Sequence, residues 1–401
     1  MMELLAPAGT FEKMETAFRF GADAVYFAGK RFGLRAFAGN FTDDEISKAT
    51  AYAHSLNKKV YITLNILAHE DDFDGLKEYL DHLVKSKVDA VIVSDIGIIE
   101  FIKQNAPTLT IHVSTQANIL NSYAINFMYK LGVKRIILAR EVSIEEIKKI
   151  KAKIPEDIEL ECFVHGAMCI SYSGRCLLSN YLTGRDSNRG ACAQPCRWEY
   201  TITEKTRRGQ EYEVQEDNRG TYILNSKDMM MIEHLGELKD AGVTSFKIEG
   251  RMKSPYYVAN VVNSYRRALD YGKNITQEQL ESLKQELYKT SHRQYTTGFY
   301  LGENNKECLE SSMPVQTSEF MAVVLGDWDG EKALIEQRNR FKVGDELEVL
   351  SPNDTFNKKI KIEKMISEKG DIIDDAKDVQ QKLYLYTKIK LEKGDILRKQ
   401  C

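Results

Sequence analysis

The sequence predicts an α/β chain: a (βα)8 TIM-type barrel with a cysteine-rich insertion after its seventh strand, followed by a small carboxyl-terminal β-barrel. Three observations predict it. Eight short apolar runs, rich in β-branched and aromatic residues, recur before residue 250 with helix-like stretches between them. Four cysteines crowd into 28 positions between the seventh and eighth runs. Beyond Met313 the pattern changes to short alternating strands separated by turns.

The runs cover residues 3–6, 24–27, 60–64, 90–93, 110–113, 135–138, 160–164 and 245–248. Their largely unbroken apolar character suits parallel strands covered on both faces. Apolar residues three and four apart mark the helices between them, as in Ile46, Ala49, Ala53 and Leu56, and in Ile144, Ile147 and Ile150. Gly21, Gly132 and Gly242 stand just before the next run, where glycine lets a helix end in left-handed backbone. A doubly wound open sheet is the alternative, but its Gly-x-Gly-x-x-Gly turn is missing: the first turn reads Ala8-Gly9-Thr10-Phe11. Residues 200–222 alternate around Arg208-Gly209 as a hairpin inserted before the last barrel strand. After Arg251 a helical stripe of Val258, Val261, Val262, Tyr265 and Leu269 precedes a second helix over 276–288. The expected domains are therefore a barrel at 1–312, carrying the cysteine-rich loop 166–221, and an accessory β-module at 313–401.

Composition bounds the function. The chain has 401 residues, 43% hydrophobic and 29% charged, so it holds enough apolar surface to offset chain entropy and is not a disordered tail. No apolar run approaches the ~18–20 residues of a membrane span. The start, Met1-Met2-Glu3-Leu4-Leu5, lacks the basic region of a secretory signal, so a cytoplasmic location is expected. A net charge of −3 argues against general polyanion coating but leaves room for a local basic patch. Seven cysteines are an odd number, and Cys162, Cys169, Cys176, Cys192 and Cys196 share one window. Metal or thiol chemistry in a reducing compartment fits this better than a disulfide framework.

In a barrel of this class chemistry belongs at the carboxyl ends of the strands. Those ends carry Arg35, Asn65, Asp95, Gln116, Arg140 with Glu141, His165, and Lys247 with Glu249 and Arg251. Arg35, Arg140 and Arg251 are the expected substrate binders, suited to a small carboxylate or phosphate metabolite. His165, Lys247 and Glu249 are the expected catalytic groups. An ion-pair network among Lys247, Glu249 and Arg251 is the competing reading.

Cys169, Cys176, Cys192 and Cys196 are spaced C-x6-C-x15-C-x3-C. Four thiolates from one loop enclose either zinc or an iron–sulfur cluster. A zinc ribbon uses two C-x2-C knuckles; the longer spacing here favours the larger 4Fe–4S cube, with zinc as the alternative. Cys162, Cys308 and Cys401 are read as structural.

The segments Glu161-Cys162-Phe163-Val164-His165-Gly166-Ala167-Met168-Cys169 through Cys176, and Asn188-Arg189-Gly190-Ala191-Cys192-Ala193-Gln194-Pro195-Cys196-Arg197, resemble the signature of the peptidase U-32 family. Leu5-Ala6-Pro7-Ala8-Gly9 and Lys247-Ile248-Glu249-Gly250-Arg251 extend the likeness over essentially the whole chain. The resemblance implies a 4Fe–4S cluster on the four matching cysteines and oxygen-independent hydroxylation. The length and terminal module are most similar to members that convert a tRNA uridine to 5-hydroxyuridine in a prephenate-dependent reaction, so tRNA and prephenate are the implied substrate and co-substrate. Some relatives work with a paralogous partner, so such a partner or a homodimer is also implied; no membrane association is.

The family name records a collagenase-like protease, which has little support in the residues. His69-Glu70 lacks the second histidine of His-Glu-x-x-His, and no Gly-x-Ser-x-Gly elbow occurs. A His165–Cys169 pair would consume one of four converging cysteines. RNA chemistry fits better: residues 169–210 carry a local charge of +4 beside Tyr172, Tyr181, Trp198 and Tyr200. Such a surface grips phosphates and stacks an unpaired base; a basic rim that balances four thiolates is the alternative reading.

Overall fold

Eight parallel strands close on themselves in the computed structural model, which describes residues 2–32, 40–169, 171–189, 191–198, 216–217, 220–221, 227–302 and 315–401. They are β1 (Glu3–Pro7), β2 (Ala24–Phe27), β3 (Lys59–Leu64), β4 (Ala90–Val93), β5 (Ile111–Val113), β6 (Arg135–Ile137), β7 (Glu159–Ala167) and β8 (Ser245–Ile248). Each pairs in parallel with the next, and β8 pairs with both β7 and β1, so the barrel has no open edge. Around it lie α1 (Phe11–Arg19), α2 (Asp43–Ser55), α3 (Leu76–Lys85), α4 (Ile96–Asn105), α5 (Ser122–Lys130), α6 (Ile144–Lys151) and α8 (Leu235–Asp240), with α7 (Leu178–Thr183) inside the insertion.

The helices begin where local chemistry starts them. Thr42 and Glu45 form a reciprocal capping box at α2, as do Ser143 and Glu146 at α6, each satisfying otherwise orphaned backbone donors. The apolar stripes expected from the sequence face inward at Ile46, Ala49 and Ala53 of α2 and at Ile144, Ile147 and Ile150 of α6, whereas Leu56, at the C-cap of α2, is exposed.

The eight expected runs are the eight barrel strands. Their bounds differ from the expected runs by no more than one residue at either end except in β7, which continues to Ala167. The cause is the chain returning from the insertion: residues Asp228–Met230 pair antiparallel with its end, Met230 opposite His165 and Asp228 opposite Ala167. Arg293 holds that return by bonding Asp228 (Nη2 to Oδ1 2.6 Å). Most of the hairpin expected around Arg208-Gly209, together with Arg35 and Cys308, lies outside the described residues.

A second compact unit comprises residues 15–21, 253–292 and 315–401. It contains α9 (Pro255–Tyr271), α10 (Gln277–Tyr288) and an antiparallel sheet of β9 (Ser318–Val324), β10 (Lys332–Gln337), β11 (Glu346–Leu350), β12 (Lys359–Lys361), β13 (Met365–Ser367), β14 (Ile372–Ile373), β15 (Lys382–Tyr386) and β16 (Ile396–Gln400). The sheet order is β12-β11-β16-β9-β10-β15-β13-β14, around a core that includes Met321, Ile335, Leu347, Leu385 and Leu397. Arg398 joins the sheet to the two helices. Its guanidinium, 1% exposed, donates to Asn260 Oδ1 (2.9 Å), Glu286 Oε2 (2.6 Å) and Asn357 Oδ1 (2.6 Å). That network explains why the segment at 253–292 belongs to this unit.

Glu286 makes the unit acid-sensitive. Burial pushes its pKa upward, but the Arg398 and Lys289 charges outweigh burial and hold it below the ordinary 4.5. A depressed folded pKa contributes stability above the unfolded value, and that contribution is lost as pH falls through the folded one. Urea midpoints are therefore expected to fall below pH ~4.3, with the acid-dependent part reduced in Glu286→Gln; an acid profile identical in both proteins would contradict this.

Candidate active site at the barrel mouth

Side chains alternate along a strand, so every second residue of β3, β7 and β8 faces the barrel interior. At the carboxyl ends these residues surround a cavity of about 60 Å³. Asn65, Gln116, Arg140, Lys247, Glu249 and Arg251 line it, with Tyr26 and Phe163 supplying aromatic walls. These six are among those expected from strand ends; Thr63, Ser114 and Thr115, which also line the cavity, were not singled out.

Lys247 is buried, its Nζ 2.8 Å from Glu161 Oε1 and 4.4 Å from the centroid of the Tyr26 ring. Burial lowers its pKa; Glu161 pulls it back up, and the Arg135 and Arg251 charges lower it again, leaving it below the ordinary 10.5. Its ion-pair partner is thus Glu161, a residue the strand-end reading did not single out. Arg251 donates to Thr63 Oγ1 (3.2 Å). Its backbone presses on Gly9, where a Cβ would come 2.4 Å from the Arg251 carbonyl oxygen, which is why the first turn carries glycine there. Arg140 donates to the Ala167 carbonyl (2.7 Å), and its guanidinium lies 4.2 Å from the centroid of the Phe163 ring. Three cations thus face one small cavity, an arrangement that favours an anionic ligand through charge-assisted bonds.

The cysteine loop lies against this mouth. The Glu141 carboxylate accepts from the Ser173 backbone N–H (2.8 Å) and hydroxyl (3.0 Å). Leu67 N donates to the Asn188 carbonyl (3.3 Å). Gly174, at φ +71°, touches Gln116 so closely that a Cβ would be 2.1 Å from the Gln116 carbonyl oxygen. Within the loop the Cys176 carbonyl accepts from Ser187 Oγ (2.6 Å) and Asn188 Nδ2 (3.1 Å).

Cys192 is exposed, while Cys176 and Cys196 are half-buried. Cys169 keeps an exposed surface, yet protein packed around its thiol pushes its pKa up to about 11, with Cys176 and Cys196 pushing the same way and Arg140 opposing. Cys176 and Cys196 therefore lie near enough to Cys169 for their charges to act on it, and all four sulfurs are soft donors suited to iron or zinc. Among the described residues no set of three or more cysteine, histidine or carboxylate side chains has closed to metal-ligating distance.

Other expected residues fall elsewhere. His165 is buried and packs against Tyr295, ring centroids 5.4 Å apart; it does not line the cavity. Asp95 caps α4 by accepting from Ile98 N (3.1 Å). Tyr172, Tyr181 and Trp198 are exposed on the loop, beside exposed Arg175 and Arg185. Below the cavity the buried Arg135, Glu161 and Ser245 form, with the half-buried Glu3, a polar cluster that the apolar strand pattern conceals. Its one sequence signal is the period of two in Glu159-Leu160-Glu161 and Ser245-Phe246-Lys247-Ile248-Glu249.

Comparison with known proteins places this architecture. The family description Peptidase family U32 matches residues 9–310, and Peptidase family U32 C-terminal domain matches residues 316–398. The chain is 40% identical to the tRNA hydroxylation protein P1 of Bacillus subtilis (strain 168), over 99% of this chain and 94% of that one. It is 39% identical to a 23S rRNA 5-hydroxycytidine synthase of Escherichia coli (strain K12), over 67% of this chain and 39% of that one. It is 33% identical to a protein named collagenase of Porphyromonas gingivalis (strain ATCC BAA-308 / W83), over 75% and 74%. Both family descriptions together span all but short segments of the sequence, including seven of the eight barrel strands, the cysteine loop and nearly all of the terminal sheet: the chain belongs to peptidase family U32.

Proposed function

We propose that this protein hydroxylates RNA, converting the wobble uridine of a tRNA to 5-hydroxyuridine without molecular oxygen. The observation that carries the reading is the four-cysteine loop, basic and aromatic, lying against a cavity that presents Arg140, Lys247 and Arg251. The likeness to proteins named for tRNA and rRNA hydroxylation supports the same reaction class.

In this reading Cys169, Cys176, Cys192 and Cys196 hold a 4Fe–4S cluster, which when bound supplies electron transfer next to the cavity. Arg140 and Arg251 bind the carboxylates of an anionic co-substrate, for which prephenate is the candidate. Tyr172, Tyr181 and Trp198 stack bases of the unpaired anticodon loop, while Arg175 and Arg185 meet its phosphates. The loop, clamped by Glu141 and Ser173, limits water at the mouth.

The protease reading needs a thiolate nucleophile. His165, the base that Cys169 would use, packs against Tyr295 and does not line the cavity, which disfavours that role.

The test is mass spectrometry of tRNA from cells that lack the protein, complemented by wild type or by Cys192→Ser. Wild type is expected to restore 5-hydroxyuridine and Cys192→Ser to leave it at least ~10-fold lower, with iron and acid-labile sulfide lost from the anaerobically purified variant. Unchanged 5-hydroxyuridine on deletion, under oxygen limitation and with no redundant enzyme, would overturn the proposal.

A further inference from the structure

The interior of a (βα)8 barrel is ordinarily filled by layers of valine, isoleucine and leucine. In this barrel the inward positions of β1, β3, β6, β7 and β8 instead hold Glu3, Tyr61, Arg135, Glu161, Ser245 and Lys247. Arg135, Glu161, Ser245 and Lys247 are all at most 4% exposed, and Tyr61 is 2% exposed. Buried charges are costly unless paired, so a column of them calls for a reason.

The bonds form one continuous line. Lys247 Nζ donates to Glu161 Oε1 (2.8 Å). Ser245 Oγ lies 3.2 Å from Glu161 Oε2 and 2.9 Å from Glu3 Oε1. Tyr61 Oη donates to Glu3 Oε2 (2.6 Å). At one end Lys247 lines the mouth cavity. At the other, Tyr61 lines a separate cavity of about 310 Å³ at the amino-terminal ends of the strands, whose rim includes the exposed Lys59 and Lys134.

Two features separate this line from a plain ion-pair cluster. Ser245 places a single hydroxyl hydrogen between two carboxylates, so it serves one at a time, and moving it from one to the other is a proton transfer. Arg135 bonds both Glu3 and Glu161 and keeps its own charge, balancing the carboxylates without interrupting the line. His112, edge-on to Tyr61 at 4.8 Å, is kept neutral by burial and by the Arg135, Lys247 and Lys59 charges, so it adds no cation to the column.

We propose that Lys247 is the proton-accepting catalytic residue of the mouth cavity, and that Glu161, Ser245, Glu3 and Tyr61 carry its proton through the barrel to solvent at the opposite end. This rests on the hydroxylation reading above. Once oxygen is attached at the base carbon, loss of the carbon-bound proton restores the ring double bond. The C–H bond breaks with its electron pair staying in the ring, and an N–H bond forms on Lys247 as one of the ammonium's own protons leaves for Glu161. A proton then passes from the Glu161 carboxyl to Ser245 as the serine's own hydrogen moves to Glu3. Glu3 passes its proton to the Tyr61 oxygen as Tyr61 hands its own to water in the basal cavity. Each hop breaks one N–H or O–H bond and makes the next; no electrons are exchanged along the line. Burial holds the Lys247 pKa below its ordinary value, the direction that eases transfer of its proton to Glu161.

The test uses the whole chain, purified anaerobically, with prephenate and tRNA from cells lacking the protein. Ser245→Ala and Tyr61→Phe remove a link each and leave Arg135 to hold both carboxylates. Each is expected to lower kcat by at least ~10-fold, less than the ~100-fold or more that a general base itself contributes, with KM for tRNA unchanged and the urea midpoint near that of wild type. Imidazole, a small diffusible proton carrier, is expected to restore part of the Ser245→Ala rate and to leave wild type unaffected, a response that a merely structural serine would not give. Wild-type rates in both variants, or losses that imidazole does not touch, overturn the relay while hydroxylation stands. A wild-type protein that forms no 5-hydroxyuridine overturns the hydroxylation reading, and the relay with it, before any variant is compared.

Discussion

Replacing Arg135 with methionine is expected to destabilise the barrel by about 3–5 kcal/mol, the usual result of removing one partner from a buried ion pair. The side chain bonds Glu3, Glu159 and Glu161 from inside the barrel, and Glu161 is fully buried. Methionine matches much of its volume but leaves the two inner carboxylates with less positive charge, only Lys247 remaining beside Glu161. Against a domain stability of about 5–15 kcal/mol such a loss consumes a large fraction.

The sign of the pH dependence gives a sharper check. In the native protein burial pushes the Glu3 pKa up, but Arg135, together with bonds from Tyr61 and Ser245, outweighs it and holds the pKa below 4.5. Native stability from Glu3 is therefore present above the unfolded pKa and lost on acidification. Without Arg135 burial gains the upper hand, so protonating Glu3 relieves the variant. The stability gap between the two proteins, read as urea midpoints, should narrow from pH 7 to pH 4. A gap that widens over that range would show that Arg135 does not hold these carboxylates.

Gly174→Ala is expected to act on activity rather than on the barrel. Left-handed backbone costs a non-glycine residue roughly 1–2 kcal/mol, and the added methyl would sit 2.1 Å from a backbone carbonyl oxygen that cannot swing aside. The loop must lift from Gln116, carrying Cys169 and Cys176 away from the mouth. Iron content and 5-hydroxyuridine formation are expected to fall by at least ~10-fold, in line with a small displacement of reacting groups. The thermal midpoint of the barrel should move by only a few degrees. Full activity in this variant would show that the loop's contact with Gln116 is incidental.

Much of this molecule was legible in its residues because the relevant forces are local. Strand runs, helix stripes and the change of pattern after Met313 follow from periodicities of two and 3.6, which any short window displays. Asn65, Gln116, Arg140, Lys247, Glu249 and Arg251 could be gathered at one mouth because a barrel puts every strand end on the same face. Asp95 could not be told from them: an aspartate after a strand reads alike whether it meets a ligand or caps the next helix, and here it caps α4. His165 was equally ambiguous until the returning strand at Asp228–Met230 paired with the end of β7.

Strand order, the terminal β-module, the four cysteines on one loop and the cations of the mouth can all be read from local residue patterns. That Lys247 pairs with Glu161, that Ser245 stands between Glu161 and Glu3, and that Gly174 rests on Gln116 emerge only when the chain folds. Ring closure accounts for the difference. Glu3 and Ser245 lie 242 positions apart and meet because β8 completes the ring against β1, and a contact made by ring closure has no counterpart in any local stretch of chain.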